Sequence, residues 1–234
     1  MSDKKALIVY QDEEPSVADP RQNDNLGTMI CLHRRYRLGD PHGENVAEGA
    51  RTPEEVEAFI DEHGLRDGSG GILHELYLYD HSGLVMRMDR GFSDIDSQHW
   101  DWGQIGYMYV LNERIKEEYG VVNQDSLSRA EAVLRAEFEE YNNWLRNNVF
   151  AYIIVDLDDY NNIITIGDDD ADSCGGGYIA GSAEEAARDM LDMLGQDECD
   201  RIEDRVYFVD NLHDVLPKRK ITESLKIAPA AEIG

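Results

Sequence analysis

Short apolar runs alternate with polar stretches rich in Gly, Pro and Asp along the whole chain. After Lys5, residues 5–10 (KALIVY) are apolar and include β-branched Ile8 and Val9, which predicts a buried first strand. A polar loop with two prolines follows, and residues 26–33 (LGTMICLH) predict a second strand. Thr52, Pro53 and Glu55 then form a helix start, with Thr as N-cap, Pro at the first position and Glu at the third. Val56, Phe59 and Ile60 give that helix one apolar face, and Gly64 ends it. Residues 72–79 (ILHELYLY) and 84–88 flank the turn chemistry of Asp80-His81-Ser82-Gly83, which predicts a hairpin.

Residues 105–111 (IGYMYVL) predict another strand, and Asn112 is the expected cap of a short helix to Tyr119. The longest helix is expected to open on the capping box at Ser128 and to run to about 147. Leu127, Ala130, Leu134, Phe138, Tyr141 and Leu145 keep three-to-four spacing along it. Residues 149–155 and 162–166 read as a hairpin, 182–194 as a helix and 205–209 as a last strand. Seven or eight strands and about four helices in no strict βαβ alternation predict an α+β fold, with the helices packed on a mostly antiparallel sheet. The expected organisation is one domain over residues 1–216 and a flexible tail over 217–234.

Charge changes this picture more than composition does. The 234 residues carry 49 acidic against 22 basic side chains, a formal net charge of -27. Such a chain is no nonspecific nucleic-acid binder, since neutralising phosphates needs Lys and Arg. For the same reason it is no electrostatic ligand of an anionic membrane, and no apolar run is long enough to span one. The charge is uneven. Residues 41–80 hold 10 acids and 2 bases, and residues 161–200 hold 11 and 1, whereas 1–40 and 201–234 are nearly balanced. The candidate acidic surface therefore comprises Glu54, Glu55, Glu57, Asp61, Glu62, Asp168, Asp169, Asp170, Asp172, Glu184, Glu185, Asp189 and Asp192. Only six of the 22 bases are Lys, which also fits adaptation to a salty host.

Several segments carry candidate chemistry. His33-Arg34-Arg35-Tyr36-Arg37-Leu38-Gly39-Asp40 is the one strongly basic stretch in the body of the chain, suited to an anion pocket or to pairing with neighbouring acids. Tyr79-Asp80-His81-Ser82-Gly83 places an acid, an imidazole and a hydroxyl side by side, but without the GxSxG elbow of a hydrolase. Trp100-Asp101-Trp102-Gly103-Gln104 sets two indoles about a carboxylate, as a stacking surface or as a local apolar cluster. The candidate pocket residues are thus His33, Arg34, Arg35, Tyr36, Asp40, Tyr79, Asp80, His81, Trp100, Asp101 and Gln104.

No metal, cofactor or catalytic residue is assigned. The histidines, His74 among them, lack HExxH spacing, and the Asp168–Asp172 run has Ser173 and Ile179 where a calcium loop needs Gly and Glu. The glycines at 175–177 lack a P-loop ending and follow four aspartates that repel phosphate. Three scattered cysteines, Cys31, Cys174 and Cys199, read as free thiols in a reducing compartment.

In order and spacing, Asn25–Met29, the HRRYxLGD stretch, LYLYDHSG at 76–83, WDxGQxG at 100–106, EYG at 118–120 and the DSC-Gly segment at 172–178 resemble a family of conserved bacteriophage proteins without an assigned activity. The chain departs from that pattern at Trp102, where the family has a small residue, and at Gly175, where it has an aromatic. The resemblance implies a viral or prophage origin, and the short apolar run near the start, too brief for a signal peptide, predicts a cytosolic protein, hence one in the host-cell cytoplasm.

Three functions fit these residues. The first is an acidic interaction protein that inhibits a host nucleic-acid-binding defence enzyme, of anti-restriction or anti-CRISPR type, by imitating DNA. The second is a small-ligand-binding protein or hydrolase-like enzyme whose pocket joins the HRRY, YDHSG and WDxGQ segments. The third is a halophile-adapted soluble protein with no inhibitory role. The expected partner is a host protein, with no direct nucleic-acid or membrane contact.

Overall fold

The computed structural model describes residues 4–12, 18–40, 52–164 and 172–209, with 172–176 described at the level of the backbone. The expected tail at 217–234 and the acidic residues Asp168, Asp169 and Asp170 lie outside the described residues. The fold is α+β, with five α-helices and two four-stranded, mostly antiparallel sheets among the described residues. The chain divides into two compact units, Met1–Val17 with Asn147–Gly234, and Ala18–Arg146.

The first unit is built on β1 (Lys4–Gln11), β6 (Val149–Leu157), β7 (Asp172–Ile179) and β8 (Val206–Val209). Its strand order is β7-β6-β1-β8, and β1 runs antiparallel to β6 but parallel to β8. The unbroken apolar run of β1 is explained by burial on both sides. Leu7 and Val9 face Ala186, Ala187 and Met190 of α4 (Ala183–Met193) and Ile202 of α5 (Gln196–Ile202), while Ala6 and Ile8 pack with Ile153, Val155 and Leu157 of β6. Of the expected 162–166 strand, residues 162–164 are described, and they form no named strand. Among the described residues their contact with β6 is the single bridge from Leu157 to Ile163, and β6 pairs instead with β7, which contains the glycines at 175–177.

The second unit holds β2 (Thr28–Cys31), β3 (Gly71–Asp80), β4 (Leu84–Met88) and β5 (Trp102–Leu111), in the order β2-β5-β3-β4 with every pair antiparallel. Alternation sends Ile30, Tyr107 and Tyr109 to one face, against Val56, Phe59 and Ile60 of α1 (Pro53–Glu62). It sends Met29, Leu76, Leu78, Met86 and Met108 to the other face. There they meet Ile115 of α2 (Asn112–Tyr119) and Ala130, Leu134, Phe138 and Tyr141 of α3 (Gln124–Leu145). Each large apolar side chain buried this way contributes about 1.5–3 kcal/mol. Gly106 lets β2 and β5 approach closely, since a Cβ there would lie 1.8 Å from the Ile30 carbonyl oxygen.

Two helix starts differ from expectation. Leu111, not Asn112, precedes α2, because the Asn112 side chain is used to donate to the Ser69 carbonyl. The long helix begins four residues before Ser128: Asn123 and Ser126 exchange side-chain-to-backbone bonds as a cap, and Ser128 donates back to the Gln124 carbonyl. Thr52 and Glu55 form the expected capping box of α1.

Candidate functional site

Strand order explains why the motifs meet. Since β2 and β3 both pair antiparallel with β5, they run parallel to each other, and their C-terminal ends share the edge at which β5 begins. His33–Asp40 follows β2, Asp80–Gly83 follows β3 and the WDxGQ segment opens β5. Three stretches far apart in sequence therefore emerge at one end of one sheet.

The base of the His33–Asp40 loop is buried and clamped. Gly39 bridges back to Ile30 at a positive φ of 73°, and a Cβ there would sit 2.6 Å from the Met29 carbonyl oxygen. Its N–H donates to the Tyr141 hydroxyl at 2.8 Å. Asp40 accepts from the Met29 N–H at 2.9 Å and from Arg21 Nε at 2.6 Å. Arg21, 3% exposed, also donates to the Gly27 carbonyl and to Glu137, whose carboxylate in turn accepts the N–H groups of Leu26 and Gly27. Asp40 therefore belongs to a buried structural network rather than to the candidate pocket, because both of its oxygens are committed inside the fold.

The tip of the same loop is exposed. The His33 ring stacks on Tyr36 at 5.0 Å, and its Nδ1 accepts the N–H groups of Arg35 and Tyr36 at 3.3 Å. Burial, helped by Arg35, pulls the His33 pKa below its ordinary value. Arg35 donates to Asp80 Oδ2, and the Tyr36 hydroxyl donates to Asp80 Oδ1 at 3.4 Å. Arg34 and Arg37 are exposed alongside.

Asp80 and His81 link this tip to the third segment. The Asp80 N–H donates to the Asp101 carbonyl, and His81 Nδ1–H donates to Asp101 Oδ2 at 2.9 Å. Tyr79 stacks between His81 and Phe92, at 5.9 and 5.4 Å. The two tryptophans separate in role. Trp102 turns inward, covers Gly91, touches Phe92 and His99, and donates from its indole N–H to the Asp96 carbonyl at 2.7 Å. Trp100 is 82% exposed. Gln104 lies farther along β5, opposite Tyr77.

Asp96 organises this loop and was not among the sequence candidates. Its carboxylate accepts the N–H groups of Asp101, Gln98 and Trp100, which hold its pKa below the usual range. The signal for it, an Asp two residues before Gln98 in an irregular aromatic stretch, is ordinary turn chemistry. A second unanticipated cluster centres on buried His74, whose two ring nitrogens face Asp89 at 2.7 Å and Glu131 at 2.8 Å.

His81 and Asp101 form a pair in which Asp101 orients the ring. Among the described residues no hydroxyl or thiol donates to the remaining ring nitrogen, so the pair lacks the nucleophile a triad requires. Among the same residues no group of three His, Cys, Asp or Glu side chains is placed to hold a metal ion, and no helix is long and apolar enough to cross a membrane.

The acidic candidates divide between the two units. On α1, Glu54 and Glu62 are exposed, Glu55 caps its own helix, and Glu57 and Asp61 pair with Arg66. On α4, Glu184, Asp189 and Asp192 are exposed and Glu185 accepts the Gly181 N–H. Asp172 opens β7. No protein-family model, curated protein or solved structure matches this chain.

Proposed function

We propose that the protein is an interaction protein that grips a partner at the loop end of the second unit's sheet. The convergence of the three motif segments through the Arg35–Asp80 and His81–Asp101 links supports this reading. Arg, Tyr and Trp are the side chains that most often anchor protein interfaces, and here Arg34, Arg35, Tyr36, His81 and Trp100 all lie on segments at the same end of one sheet. Exposed arginines in a chain of charge -27 favour a partner segment bearing carboxylate or phosphate. The resemblance to bacteriophage proteins adds that this partner is a host protein met in the host cytoplasm.

A second reading rests on a different observation. The outward side of α4 carries Glu184, Asp189 and Asp192 with one basic residue, Arg188, on the whole helix. Such a face suits the basic groove of a nucleic-acid-binding defence enzyme, as a DNA mimic would.

One experiment separates the two. The full chain is used as bait in host lysate beside the pair variant Arg35→Gln/Trp100→Ala and the α4 variant Glu184→Gln/Asp189→Asn/Asp192→Asn. Loss of a retained protein in the pair variant alone supports the loop-end reading. Loss in the α4 variant alone, with release of the partner by added DNA, supports mimicry. Retention of nothing by the wild-type chain at moderate salt overturns both.

A further inference from the structure

In the second unit, a cavity of about 460 Å³ lies between the edge strand β4 and helix α3. Its floor is apolar: Val85, Met86 and Met88 from the strand, and Phe138 from the helix. Its polar lining is Arg87, Arg90, Arg135, Glu139 and Asn142. Three of the chain's 22 basic residues line this one cavity.

Asn142 is the informative group. It is 7% exposed, and its Oδ1 accepts the Met86 N–H at 2.9 Å. That leaves its two amide hydrogens, and no acceptor among the described residues takes them. The arginines differ in the same respect. Arg87 is used by Asp94 and the Gly91 carbonyl, and Arg135 by Glu131. Arg90 makes no hydrogen bond or close ion pair among the described residues and meets the Asp94 charge only at longer range. Apart from Glu139, the unused side-chain capacity of the lining consists of donors, which call for an acceptor on the ligand.

We propose that this cavity binds a small monocarboxylate with an apolar chain or ring. The body lies on the half-buried Val85 and Met88, above the core side chains of Met86 and Phe138, and the carboxylate meets Arg90 and the Asn142 amide. The volume falls within the range of about 300–1,000 Å³ usual for small-molecule sites. Glu139 in the lining, with Asp89 and Asp94 close by in the chain, disfavours a dianion such as a phosphate monoester. An added peptide strand fits less well. Since the Met86 N–H points away from β3, alternation turns Leu84 and Met88 outward too, but Asn142 already holds the middle donor that a pairing strand would need.

Octanoate is the probe, titrated into the full chain while the methionine ε-methyl NMR signals are followed. Saturable shifts at Met86 and Met88 are expected. Octanol should bind about tenfold more weakly, the size of one charge-assisted hydrogen bond, and inorganic phosphate should leave both methyls unmoved. Arg90→Gln, at an exposed position, should weaken octanoate by about tenfold without affecting octanol, and Glu139→Gln should strengthen octanoate. Equal binding of octanol and octanoate, insensitivity of octanoate to Arg90→Gln, or shifts confined to other methionines would overturn the proposal. None of these readouts depends on the loop-end reading, so the two can fail separately.

Discussion

The eight residues from His33 to Asp40 take part in two Arg–Asp contacts with opposite roles, through Asp40 and through Arg35. At the base, Arg21 meets Asp40 away from water, and both charges also bond to backbone groups of β2 and its approach. At the tip, Arg35 meets Asp80 with over half of the arginine side chain exposed. The same pair of residue types holds the fold in one place and remains available to a partner in the other. Burial decides which, since water competes for an exposed ion pair and cannot reach a buried one.

That contrast can be broken at the base with the largest effect. Arg21→Met leaves the half-buried Asp40 and Glu137 without their cation. Chemical denaturation should show a loss of about 3–5 kcal/mol, the usual cost of removing one partner from a buried pair. An unchanged midpoint would place the network at the periphery of the fold. Tyr141→Phe removes only the acceptor of the Gly39 N–H and should cost about 1–3 kcal/mol in the same measurement.

The tip should respond differently. Arg35→Gln should change stability by less than about 1 kcal/mol while reducing partner retention in the bait experiment. If stability falls as far as it does for Arg21, the distinction between base and tip is wrong. The smallest expected effect is a dependence on pH. His33 has a folded pKa below its ordinary value near 6.5, because burial and Arg35 disfavour the charged ring. Its contribution is complete above about pH 6.5 and is lost as pH falls through the lowered folded value. Thermal melts of the wild type should therefore weaken more below pH 6.5 than those of His33→Gln, and parallel curves would remove His33 from the account.

Cys31 offers a check on the interior beside this loop. It is buried, and burial together with Asp40 pushes its thiol pKa well above the ordinary value. Iodoacetamide at neutral pH should leave Cys31 unlabelled in the folded protein and label it after denaturation.

Much of the fold was legible in the chain. The run of β1, the hairpin of β3 and β4 around Asp80–Gly83, the capping box at Thr52 and the apolar stripe of α3 follow from periodicity and local hydrogen bonding, which act within a few residues. The start of α3 was misplaced because the Asn123–Ser126 cap and the Ser128 capping pattern lie within six residues, and the local pattern does not rank them. β7 was missed because a Gly-rich strand has no side-chain pattern to read, and the apolar positions of β6 then invited pairing with the nearer 162–166 segment.

The candidate site was legible as three motifs and no further. Their residue types suggest recognition, but their meeting depends on the order β2-β5-β3-β4, a long-range pairing that no local spacing encodes. The same holds for the division of labour within them. Asp40 and Asp80, or Trp100 and Trp102, are chemically identical in the sequence. The sequence by itself determined which elements form, the acidic character and the few places where arginines and aromatics collect. Only the tertiary structure decided which of those side chains are shut away from water and which are left facing it. Burial is a property of what packs on a residue from elsewhere in the chain, and that partner is absent from the residue's own neighbourhood in sequence.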